Sequence, residues 1–67
     1  MTITLNAQVK CVNTQRKSKA YAKYGTPATA GTTGIVVRIN ALKDVTVVEF
    51  QTARGIAHAH IQNLVVQ

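Results

Sequence analysis

The sequence predicts an all-β fold, a small barrel of about five strands, and three observations carry that expectation. Short strand-like runs recur through the second half of the chain, at Ile35–Ile39, Val45–Phe50, Ile56–His60 and Leu64–Val66, the first of them β-branched. Turn residues separate these runs, and no long amphipathic helical pattern competes with them. The chain has 67 residues, which is room for one domain spanning 1–67 and for one core. Closing a sheet of that size into a barrel would remove its exposed edges.

Residues 2–12 come first. Thr2 to Leu5 alternates polar and apolar, with Ile3 and Leu5 on one side. Val9 and Cys11 continue that parity across Ala7, so the stretch reads as one strand or two short ones, with Gln8 and Lys10 toward solvent. The pattern then stops, and residues 13–30 read as a long basic loop between the first two strands. Asn13 to Gln15 is a turn, and Gly25, Thr26, Pro27 and Gly31 interrupt the chain again. Between them, Arg16 to Tyr24 has the composition for about two helical turns. An α-helical period would put Arg16, Lys19 and Lys23 on one face beside Tyr21 and Tyr24.

The regular half follows. Ile35 to Ile39 is a strand, Asn40 to Asp44 a short connection, and Val45 to Phe50 the next strand. Its parity turns Val48 and Phe50 to the core and Glu49 outward. Gln51 to Gly55 is a hairpin turn into the strand Ile56–His60. Ile61 to Asn63 is one tight turn before the last strand, Leu64–Val66.

Residues 31–66 resemble the SH3-like barrel superfamily, including its KOW-type modules. The likeness rests on Gly31-Thr-Thr-Gly34, the strand from Ile35 to Ile39, the strand from Val45 to Phe50 with its terminal aromatic, and Ile61-Gln-Asn-Leu-Val65. Val9 to Val12 would be the opening strand and residues 13–30 the first loop, which is longer than the KOW pattern. The resemblance implies a shape shared by nucleic-acid- and ribosome-binding modules, transcription-factor modules and small accessory subunits. The proline-peptide branch fits poorly, because aromatics are 4% of this chain and its long loop is basic.

Charge narrows the function. Eight Lys and Arg stand against Asp44 and Glu49, a formal charge of +6, and such a balance attracts polyanions. Lys10, Arg16, Lys17, Lys19 and Lys23 fall in one run without an acid. The expected function is therefore non-enzymatic binding of RNA or DNA. Arg16, Lys17, Lys19 and Lys23 would neutralise phosphates, Lys10, Arg38 and Arg54 would assist, and Tyr21 and Tyr24 would stack on bases. The same tyrosines would also serve as lids on a core poor in aromatics. The alternative function is a protein-interaction or assembly subunit, or a small phage or host-directed regulator, docking on an acidic partner. A thin core also favours homo-oligomers.

Other constellations are weaker. Gly31-Thr-Thr-Gly34 has the form of a KH-domain loop, but a strand follows it where that loop needs a helix, so it reads as a turn whose glycines serve unusual backbone angles. His58 and His60 share one strand face, with Ala57 and Ala59 on the other. Two histidines without an acid cluster do not make a metal site, so no metal or cofactor is expected. The pair would contact phosphate or sit exposed beside the turn. Cys11 is the lone cysteine, read as a small core residue without a disulfide framework. No orienting acid accompanies it, which argues against an enzyme. With neither a signal peptide nor an apolar run of membrane length, the expected location is cytoplasmic and off the membrane.

Overall fold

A computed structural model describes residues 3–67; Thr2, where the first strand was expected to begin, lies outside them. The chain is all-β apart from two short 3-10 helices. Its strands are β1 (Gln8–Cys11), β2 (Thr26–Pro27), β3 (Thr33–Ala41), β4 (Thr46–Thr52), β5 (Gly55–His60) and β6 (Leu64–Val66). They form one six-stranded sheet in the order β2-β5-β4-β3-β1-β6. All pairings are antiparallel except β2 with β5.

The expected closed barrel is corrected to an open, curled sheet. The curl follows from connectivity. Three strands separate β5 from β6 in the sheet order, which in a flat sheet means about 19 Å at about 4.8 Å per strand step. Yet β5 ends at His60 and β6 begins at Leu64, joined by the single 3-10 turn Ile61–Asn63. At a rise of about 2 Å per residue that turn bridges only about 8 Å, so the sheet must bend until its distant strands nearly meet. Among the described residues no ladder joins β6 to β5 or β2, so the circle stays open. The edges are limited by length instead of by closure: β6 has three residues and β2 has two, one of them Pro27.

The bend gathers one face of the sheet into a core. Val9 and Cys11 of β1, Val36 of β3, Val48 and Phe50 of β4, Ala57 and Ala59 of β5 and Leu64 of β6 pack with Ile3 and Ala28. The alternation expected for β1, β4 and β5 is therefore the observed one. The N-terminal segment differs. Asn6 adopts a left-handed φ of 70°, and Ala7 N–H donates to Thr4 O at 3.1 Å. This turn breaks the period-two pattern, so Ile3 is buried while Leu5 is exposed. In β3 the register slips between Val36 and Arg38, and the extra residue, Val37, is exposed.

Gly34 has a different role from the one its turn-like setting suggests. A Cβ there would run into the Gln51 carbonyl oxygen and come within 2.8 Å of the Phe50 ring. Its φ is not positive. Close approach of β3 to β4 over the Phe50 ring, and not backbone angle, requires glycine here. No helix among the described residues is long and apolar enough to cross a membrane.

Candidate nucleic-acid interface

The face of the sheet opposite the core carries Val47 and Glu49 of β4, His58 and His60 of β5, and Arg38 and Asn40 of β3. Part of it is roofed by the basic segment. Lys19–Tyr24 forms a 3-10 helix, with Tyr21 N–H donating to Ser18 O at 3.1 Å. Ser18 caps it, its Oγ accepting from Ala20 N–H at 3.2 Å. Gly25 ends it with φ 98°, and a Cβ at this position would sit 2.6 Å from the Ile56 carbonyl oxygen. Only glycine lets the chain press this closely onto β5.

The tighter helix corrects the expected arrangement of charges. Three residues per turn place positions i and i+3 on one side, so Tyr21 and Tyr24 point the same way, down onto β5. Arg16 lies outside the helix, and Lys19 and Lys23, four residues apart, fall on different sides of it.

Beneath the helix is an aromatic cluster. The Tyr21 ring stands edge-on to His60, with centroids 5.1 Å apart and planes at 88°, and meets His58 at 6.1 Å. Tyr24 meets His58 at 6.3 Å and Tyr21 at 6.4 Å. Tyr24 is buried and Tyr21 half-buried. Of the two roles expected for the tyrosines, covering is the one their burial favours, and Tyr21 alone keeps an accessible ring. Val47, fully buried on this face, completes a small second core.

The histidines are not exposed beside the turn. His58 is fully buried, with Nδ1 3.1 Å from Gly25 O. A carbonyl can only accept, so Nδ1 carries the proton and the neutral ring presents a bare lone pair at Nε2. That Nε2 is buried without a partner, and so is Nε2 of His60. Burial pushes the His58 pKa below its ordinary value and His60 adds to the effect; the Gly25 bond and Glu49 oppose it. Among the described residues no three His, Cys, Asp or Glu side chains gather where they could share a metal ion.

Gln15 gave no signal in the sequence, yet it ties the segment down. It is 5% exposed, and its Oε1 accepts from His60 N–H at 2.9 Å and from Asn63 Nδ2 at 3.2 Å. Its own N–H donates to Ala28 O, and Ala28 N–H donates to His58 O. The side chain thus acts as a piece of backbone along β5 at His60, beyond the reach of β2.

Above this anchoring the cations face outward. Arg16, Lys17, Lys19 and Lys23 are exposed, and Lys23 Nζ lies 5.3 Å from the centre of the Tyr24 ring. Lys17 and Lys19 border a groove of about 690 Å³ whose wall includes Gly25, Pro27 and His58. Arg38 belongs to the same cross-strand row as Glu49 and His58, and it pairs with Glu49 at 3.6 Å. Lys10 stands in another row, opposite Thr33 and Val65. Arg54 is exposed in the β4–β5 turn, across a different groove from residues 26–33. The structure thus brings six of the nine expected site residues to one region and leaves Lys10, Arg54 and the buried Tyr24 ring apart from a common surface. Compared with protein-family models, curated proteins and solved structures, the chain matches none.

Proposed function

We propose that the protein is a non-enzymatic nucleic-acid-binding module, kin to the SH3-like small barrels, that grips phosphates with the exposed segment around residues 16–23. One observation carries this reading. Asp44 and Glu49 are the chain's only acidic side chains, and Glu49 is engaged by Arg38, so Arg16, Lys17, Lys19 and Lys23 present a field with no acid among them. The folded anchor below holds these four cations on a preformed surface instead of a loose tail. Tyr21 is the stacking ring in this scheme and Tyr24 a support. A titration of labelled single-stranded RNA and DNA at increasing salt tests the proposal. Binding should weaken linearly in log–log form, with a slope of about −0.7 per phosphate neutralised. Absence of binding to either strand at low salt would refute it.

A specific observation favours a second reading, docking on an acidic protein. Leu5, Val12, Ile35, Val37, Leu42, Ile56 and Val65 are all exposed, more apolar surface than phosphate contacts require. Purification with one acidic protein, insensitive to nuclease, would select it. A concentration-dependent mass in solution would instead mark self-association.

A further inference from the structure

We infer that His58 is an acid-operated latch: its protonation unseats the helix Lys19–Tyr24 from the sheet, and a polyanion bound on that segment favours the protonated form. The inference adds regulation to the binding surface just proposed, and its second half rests on that reading.

The geometry has three parts. First, the helix is held to β5 through rings. Tyr21 is edge-on to both imidazoles, and Tyr24 contacts His58. Second, the His58 imidazole is in a state that acid must change. His58 spends its one N–H on Gly25 O, and the Nε2 atoms of both rings are buried without a partner. A proton added at His58 Nε2 creates a buried N–H with nothing to receive it and a positive charge with poor solvation. Third, the charges around His58 do not compensate. From the covering segment come Lys17, Lys19 and Lys23, all positive. On β5 each histidine faces the other. From β4 comes Glu49, opposite His58 in register, but Arg38 of β3 and the Asn40 amide already draw on that carboxylate. From β6 and the turn before it, no charged side chain arises. The direction of the His58 shift agrees with this geometry.

The lowest-cost response to acid is local. The sheet has its own core on the opposite face, so lifting the helix solvates the His58 imidazolium without disturbing that core. Once the helix lifts, the exposed imidazolium adds a cation for phosphates already held by Lys17 and Lys19, so bound phosphate favours the protonated form. By linkage the effect is reciprocal: whatever favours the proton also tightens phosphate binding in acid.

The test uses the tyrosines, because Tyr21 and Tyr24 are the only tyrosines and tryptophan is absent. Acrylamide quenching of tyrosine emission, with amide NMR spectra, is followed from about pH 7.5 to about pH 5. Quenching should rise severalfold, and amide shifts should change in residues 15–27 ahead of β3 and β4. In the variant His58→Asn, where the introduced amide can still donate to Gly25 O, quenching should stay flat. His58→Phe, which keeps a ring against Tyr24, is the second variant in case the first loses its native spectrum. A native protein whose quenching does not change with pH, or variants that open as the native chain does, would overturn the latch. Titration of single-stranded oligonucleotide at both pH values tests the coupling, with affinity gaining about tenfold for each pKa unit by which the ligand raises His58. Equal gains in native and variant proteins overturn the coupling. No binding at either pH refutes the nucleic-acid reading, while the latch is still decided by the quenching.

Discussion

The Tyr21 ring meets His60 edge to face, 5.1 Å between centroids and 88° between planes, and this contact joins the charged segment to the sheet. An aromatic pair of this geometry contributes about 0.5–1.5 kcal/mol beyond the area it buries. Tyr21→Ala removes this pair together with the contact to His58. Amide exchange in residues 19–25 should accelerate by about tenfold or more, while exchange in β3 and β4 stays near the native rate. Equal acceleration throughout the sheet would show that the second core is not a separate unit.

Gln15 offers a sharper stability test. Gln15→Leu keeps the volume but leaves His60 N–H and the Asn63 amide without their acceptor. The expected cost is about 1–3 kcal/mol in urea unfolding. Asn63→Ala removes one of those donors and leaves Gln15 Oε1 bonded to His60, so it should cost less. If the two substitutions proved equal, the bond to His60 would contribute nothing measurable.

Gly34→Ala tests the close approach of β3 to β4. The added methyl must displace the Phe50 ring or the Gln51 carbonyl, and overpacking of this kind costs about 1–3 kcal/mol. Thr33→Ala, at the exposed neighbouring position, should stay within about 0.5 kcal/mol of the parent protein. Circular dichroism melts of the two variants provide the comparison.

Stability should fall in acid, and the sign follows from His58. Its pKa is lowered in the folded chain, so below about pH 6.5 the unfolded chain takes up the proton first. The histidine's contribution is fully present above that pH and is lost as the pH falls toward the folded value. Melting temperature should drop from about pH 7 to about pH 5, and His58→Asn should flatten that drop. A steeper drop in the variant would assign the acid sensitivity to other groups.

Cys11 should be inert while the chain is folded. It is fully buried, with its S–H donating to Asn13 O at 3.0 Å, and burial raises its thiol pKa against a smaller opposing effect of the Asn13 backbone. Reaction with an aromatic disulfide reagent at about pH 8 should be slow in buffer and fast in urea. Rapid labelling without denaturant would show that β1 opens readily.

On the surface, Lys17→Gln and Lys19→Gln should each flatten the log–log salt slope by about 0.7 for a single strand. Arg38→Gln, whose partner is Glu49, should change it less.

Local pattern alone determined the all-β class, the positions of β3 to β6 and the faces of β1, β4 and β5. Alternation is a property of neighbouring residues, and Val48, Phe50, Ala57 and Ala59 announce their side of the sheet without reference to anything distant. The concentration of cations in residues 10–23 is equally local. Tertiary structure decided the rest. β2 is two residues long and includes Pro27, so it has no period to detect and exists only because β5 lies alongside. Gln15 looks like any loop glutamine until His60 and Asn63, more than forty residues away, supply its donors. Whether the sheet closed depended on the reach of the turn Ile61–Asn63, not on the strands themselves. Most of all, the basic segment read in the sequence as a long loop with about two helical turns at Arg16–Tyr24. It is a roof because a 3-10 helix aligns Tyr21 with Tyr24, and because His58 and His60 present aromatic faces that only the folded sheet brings beneath them.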